Sequence, residues 1–205
     1  MDSTRIPNQA YKMLYTLDEN GKQNWVTKVK QILSRLGYGF VWLCQGVAEE
    51  AYFINQFKSR LVDVSSQEWM ADIRQSTRFD TYVSFKTSPT FEKYLDFIKV
   101  KCFRDSLIRF RFGITELKTH KNRFVKHITN NTCPFCKDTD ENEYHFLFHC
   151  DKYETIRPNI LKCVERHEEK RKFENIMCCE NQSWTKQLAW FLFKAFELRE
   201  KMLDG

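Results

Sequence analysis

Residues 133–150 read CPFCKDTDENEYHFLFHC. The C-x2-C pair Cys133 and Cys136 sits on one tight turn that lets both thiolates reach a single ion at about 2.3 Å. Eight residues separate Cys136 from His145, and four separate His145 from Cys150. Three thiolates and an imidazole form a soft, tetrahedral donor set that suits zinc, and four protein ligands leave a closed, structural site. His149 lies four residues beyond His145 and offers an alternative Cys-Cys-His-His set. The middle loop is too short for a two-histidine finger, whose spacing is about twelve. Cys150, the stronger thiolate donor, is therefore favoured, with His149 placed behind the ligands. The acidic loop Asp138–Glu143 needs metal to order it, and small zinc modules draw on the order of 10–16 kcal/mol from binding. A catalytic reading would use Glu143 as a general base but requires an open coordination position.

Working outward, the 205 residues include only six Gly and four Pro, so helices joined by short loops are expected rather than a sandwich or barrel. No apolar run approaches the roughly 18 residues of a membrane span. The first 25 residues lack the apolar core of a secretory signal. The eight cysteines then read as reduced thiols of an intracellular protein, nuclear or cytoplasmic.

Toward the N-terminus, Tyr11, Met13, Leu14 and Leu17 suggest a short helix. Asn24 reads as the N-cap of a helix carrying Val26, Val29, Ile32 or Leu33, and Leu36, which Gly37 stops. Residues 37–46 read as a buried connector or short strand. The helical period resumes through Phe53, Phe57 and Leu61, with a bend expected at Ser65 and Ser66, and continues to Ile73. A short helix is expected at Thr81–Lys86. Thr90 is expected to cap a helix through Phe91, Tyr94, Leu95 and Ile98, and Phe103, Leu107, Phe110 and Ile114 carry the next one. After the cysteine cluster, Tyr153–Cys163 and Trp184–Met202 read as amphipathic helices. Cys44 and Cys102 read as packed thiols, Cys178–Cys179 as a buried pair at a helix end, and His120, His127 and His167 as solvated.

Charge is concentrated between residues 101 and 130. Lys101, Arg104, Arg109, Arg111, Lys118, Lys121, Arg123 and Lys126 face only Asp105 and Glu116 there, so this window holds the whole net charge of +6. A basic segment beside a zinc site is a candidate phosphate-binding surface for RNA or DNA. If the cations pair with acids from neighbouring helices, or if Trp42, Trp184 or Trp190 forms an exposed patch, a zinc-stapled protein-interaction scaffold is favoured instead.

The run Cys133-Pro-Phe-Cys136, Glu143-Tyr-His145-Phe-Leu-Phe-His-Cys150 and Tyr153-Glu-Thr-Ile-Arg157 resembles the zinc-knuckle segment in the C-terminal region of non-LTR (LINE-type) retrotransposon reverse transcriptases. Arg35-Leu-Gly-Tyr-Gly-Phe-Val-Trp42 and Arg109-Phe-Arg-Phe112 are similar to stretches preceding that knuckle. The resemblance implies a helical accessory segment that works beside a polymerase domain and helps hold element RNA or target DNA. It also implies Cys133, Cys136, His145 and Cys150 as ligands. The paired aspartates that a polymerase uses to hold two metal ions are missing from the sequence, and only 55 residues follow Cys150, so neither polymerase nor nuclease activity is expected. The expected fold is mainly α, an irregular helical domain with a small Cys-Cys-His-Cys knuckle between helices. Residues 1–130 form the helical part, 131–157 the knuckle, and 158–205 the helices that pack back.

Overall fold

A computed structural model describes residues 5–123, 125, 130–162 and 164–204. Ten α-helices lie among them: α1 Ile6–Glu19, α2 Trp25–Arg35, α3 Gly39–Cys44, α4 Glu50–Gln75, α5 Asp80–Val83, α6 Tyr94–Phe97, α7 Lys101–Arg111, α8 Lys118–Asn122, α9 Glu169–Met177 and α10 Gln182–Asp204. No strand forms among the described residues; one antiparallel bridge joins Thr132 to Asp140. The knuckle lies between helices, as the expected fold class requires.

The chain divides into two compact units, Met1–Glu68 and Trp69–Gly205, with the boundary inside α4. The 101–130 segment belongs to the second unit because α7 packs along α10.

In the first unit, Pro7 sits in the opening turn of α1, where its missing N–H costs nothing. Asn24 caps α2 as expected, accepting from the Val26 N–H while Thr27 reciprocates to the Asn24 N–H. Gly37, at φ +85°, ends the α2 segment in the left-handed region. Residues 37–46 are not a strand: α3 forms there and buries Trp42 beside Tyr15, their rings 5.3 Å apart. Val26, Leu33 and Trp42 form the centre of this core, ringed by Tyr11, Leu14, Tyr38, Phe53 and Phe57. The bend expected at Ser65 and Ser66 is absent, since serine costs only a few tenths of a kcal/mol in a continuous helix such as α4.

In the second unit, Thr90 does not cap a helix. Its carbonyl and hydroxyl both accept from Lys86 Nζ, at 2.8 and 3.0 Å, and α6 begins later, at Tyr94. Gly113, at φ +61°, turns the chain after α7 and leaves Ile114 exposed. The helix expected at Tyr153–Cys163 is replaced by 3-10 turns at Asp151–Tyr153 and Asn159–Leu161, consistent with Pro158 opposing a continuous ladder; Cys163 lies outside the described residues. Helix α9 was hidden in a charge-rich stretch, yet it buries Phe173, Ile176 and Met177. Helix α10 buries Leu188, Phe191, Leu192 and Ala195, while Phe196 of its expected apolar face is half-buried. Cys44 and Cys102 are exposed rather than packed.

Candidate metal centre and basic surface

The knuckle is shaped by its backbone. The Cys133 N–H donates to the Thr139 carbonyl at 2.8 Å, the Lys137 N–H to the Cys133 carbonyl at 3.1 Å, and Lys137 takes φ +59°. This reversal aims both thiols of the C-x2-C pair inward. His145 opens a π-helical turn, His145–His149, and Cys150 follows it with its N–H bonded to the His145 carbonyl at 2.8 Å.

The ligand atoms of Cys133, Cys136, His145 and Cys150 all lie within 4.8 Å of one another and could hold a metal ion. His145 Nε2 stands 3.3 Å from Cys136 Sγ. Its Nδ1 is 2.9 Å from Thr139 Oγ1, so with Nε2 turned to the ion the other nitrogen donates to threonine. That partner fixes ring orientation and ligand basicity. Spacing did not reveal Thr139; its position inside the acidic loop gave no signal.

Cys133 and Cys150 are buried in the same core as Tyr153, whose ring contacts Phe135 and Phe146. Burial pushes the Cys150 thiol up to about 12 and raises Cys133, while burial and neighbouring charge lower His145. Such thiols stay neutral until a cation claims them, so metal uptake must expel protons. The donor chemistry fits a soft, tetrahedral ion. His149 points elsewhere: its Nε2 pairs with Glu169 at 2.9 Å.

Glu141 and Glu143, in the loop between Cys136 and His145, fasten the knuckle to the helices. Buried Arg199 on α10 grips Glu141 through two bonds of 2.9 Å, and the Lys118 N–H at the start of α8 donates to the same carboxylate at 2.9 Å. Glu143 accepts from His120 at 2.8 Å and from Thr81 at 2.9 Å. Burial alone would raise the Glu143 carboxyl, but the hydrogen bond and charge of His120 outweigh it and bring the pKa to about 2. His120 is thus buried rather than solvated, and Glu143 faces His120 and Thr81 rather than standing ready as a base. Arg157 donates to the carbonyls of Leu147 and Cys150 at 2.9 and 2.6 Å, bracing the histidine turn from behind.

The described cations of the basic window differ in exposure and pairing. Arg111 is a correction: only 2% exposed, it pairs with Glu92 at 2.7 Å under the rings of Tyr82, Phe85 and Tyr94, and it is out of reach of phosphate. A helical repeat of 100° places Arg111 on the buried side of α7 and Arg109 on the exposed side. Phe110 and Phe112 both pack, on Phe146 and on Tyr82, so neither is a free stacking platform. Lys101 and Arg109 are exposed, and Arg104 and Lys118 are half-buried. Lys121 pairs with Glu116 at the surface, and Arg123 donates to the Arg78 carbonyl at 3.0 Å. Lys126 and His127 lie outside the described residues.

No helix among the described residues is long and apolar enough to cross a membrane. Comparison with protein-family models, curated proteins and solved structures finds no match for this chain.

Proposed function

We propose that the chain is a zinc-stabilised nucleic-acid-binding accessory module that takes RNA or DNA and works beside a reverse transcriptase polymerase domain. This is the role implied by the resemblance to LINE-type segments. The reading places it inside the cell, nuclear or cytoplasmic, and gives it no polymerase or nuclease chemistry of its own. Zinc is the ion assigned to Cys133, Cys136, His145 and Cys150, where it supplies a closed cross-link.

The observation that carries the reading is the attachment of α8 to the knuckle. Besides the Lys118 bond to Glu141, Thr119 Oγ1 donates to the Glu141 carbonyl at 2.9 Å and Asn122 Nδ2 to Asn131 Oδ1 at 2.9 Å. The helix that bears Lys118 and Lys121, with Arg123 at its end, is therefore set in place by the metal-bearing loop. Ordering the knuckle orders the cations.

Affinity then comes mostly from counterion release. With about four phosphates neutralised, log K for a single strand falls with log salt at a slope of about −3. Titrating the zinc-loaded chain with a labelled oligonucleotide at several salt concentrations tests this, and a flat dependence or no binding at low salt sinks it. The loss of Arg111 to Glu92, with Trp184 and Trp190 half-exposed on α10, favours a second reading: a zinc-stapled protein-interaction scaffold. Absence of oligonucleotide binding in the same titration supports that reading.

A further inference from the structure

A cleft of about 390 Å3 opens between α7 and α10, within the size range of small-molecule sites. Its apolar walls are Ile114, Phe193 and Phe196, all at least partly accessible, and Phe196 is backed by Phe146, whose ring stacks on it at 4.8 Å. Arg109 stands at the rim with no partner among the described residues. Three glutamates also line the cleft, and two of them are committed. Glu116 pairs with Lys121, and Glu197 with Lys194 and Lys201. Glu200 is left as a carboxylate without a cation partner among the described residues.

A second depression of about 310 Å3 shares the wall Ile114–Glu116 and reaches Lys121. Arg123 borders it, with its guanidinium against Gly113, where an added Cβ would meet Nη1 at 3.1 Å. Cations thus stand on both sides of a cleft that itself offers two ring surfaces and one free acceptor pair. A flat apolar body with a donor edge and an anionic tether matches that set. Among nucleobases, guanine presents two adjacent donors, N1–H and N2–H, to one carboxylate. Single-stranded bases are commonly stacked on aromatic side chains and read on that edge.

We propose that this cleft is a guanine-preferring base subsite for single-stranded nucleic acid, with the base against Phe193 and Phe196, Glu200 accepting from its donor edge, and Arg109 meeting the adjoining phosphate. The inference rests on the nucleic-acid reading above and deepens it. It assigns base preference to a surface that phosphate contacts alone would leave indifferent to sequence.

The test uses the full zinc-loaded chain and fluorescence anisotropy with a ten-nucleotide oligouridylate, the same oligomer with one central guanosine, and their deoxy counterparts. The guanosine oligomer is expected to bind about tenfold tighter, a discrimination typical of one good base contact. Glu200→Gln removes that preference. Arg109→Ala weakens both oligomers by a similar factor and lowers the salt slope by about one. Equal affinity for both oligomers, or a preference that survives Glu200→Gln, overturns the subsite and leaves the nucleic-acid reading standing. No binding of any oligomer overturns both. A preference shared by the ribo and deoxy series supports the base subsite for either polymer, and one confined to the ribo series supports it for RNA.

Discussion

The unit Met1–Glu68 closes on Val26, Leu33 and Trp42 with aromatic rings around them; of its ion pairs, Arg35 with Glu68 is exposed on both sides and Lys30 with Asp18 keeps its lysine exposed. The unit Trp69–Gly205 has a far larger core, from Tyr82 to Ala195, yet it also buries Arg111, His120, Glu141, Glu143, Arg157 and Arg199. The first unit is built from helices adjacent in sequence, α1 on α2 and α2 on α3, which local contacts can hold. In the second, the described residues between 112 and 168 contain little regular helix, and partners 58 residues apart must find each other, as Arg199 and Glu141 do. Loop closure over such spans is costly. The difference teaches that where helices stop, this chain turns to buried ion pairs and to a Cys/His cluster that could hold a metal ion.

The largest effect that can break this contrast is loss of a ligand. Cys150→Ser should abolish retention of the proposed zinc, removing on the order of 10–16 kcal/mol of binding energy from the second unit. His149→Ala should keep the ion. Native mass spectrometry of both variants checks this, and zinc kept by Cys150→Ser but lost by His149→Ala would make His149 the fourth ligand.

Next is the buried pair. Glu141→Gln leaves Arg199 an uncompensated charge and is expected to cost about 3–5 kcal/mol in the second unit. Urea denaturation followed by hydrogen exchange at Leu188–Ala195 reads it; a shift below about 1 kcal/mol would mean that Arg199 finds solvent or another partner.

Smaller still, Asn24→Ala removes the cap of α2 and is expected to cost about 1 kcal/mol. The loss should appear in exchange at Val26–Leu33 and not in the unit that carries the knuckle. The smallest effect concerns Asp18, whose carboxyl is held below the usual range by the Thr27 hydroxyl, at 2.6 Å, and then by Lys30. A lowered folded pKa adds stability above the unfolded value near 3.9 and loses it as pH falls through the folded value. The difference between wild type and Asp18→Asn should therefore be present at pH 6 and vanish on acidification. A difference that persists at pH 2 would point to packing instead.

What was legible in the sequence follows the same division. Asn24 and Gly37 mark helix ends through local backbone chemistry, and spacing singles out Cys133, Cys136 and His145 while donor strength favours Cys150 over His149. Arg111 and His120 are placed wrongly by the sequence because charge along a chain says nothing of a partner 19 or 23 residues away. Thr139 and Arg157 act through the fold of the knuckle, and no pattern precedes that fold. Helix α9 escaped notice because its charged face dominates the stretch while Phe173, Ile176 and Met177 supply a narrow apolar stripe.

Hydrogen exchange of the full chain, zinc-loaded and then stripped with a chelator, tests the central claim most directly. The account predicts that protection at Phe146–Phe148, Lys118–Asn122 and Leu188–Ala195 collapses together on chelation while Val26–Leu33 keeps its protection. Unchanged protection around α8 after the metal is removed would contradict it, because the cations would then be positioned without the knuckle.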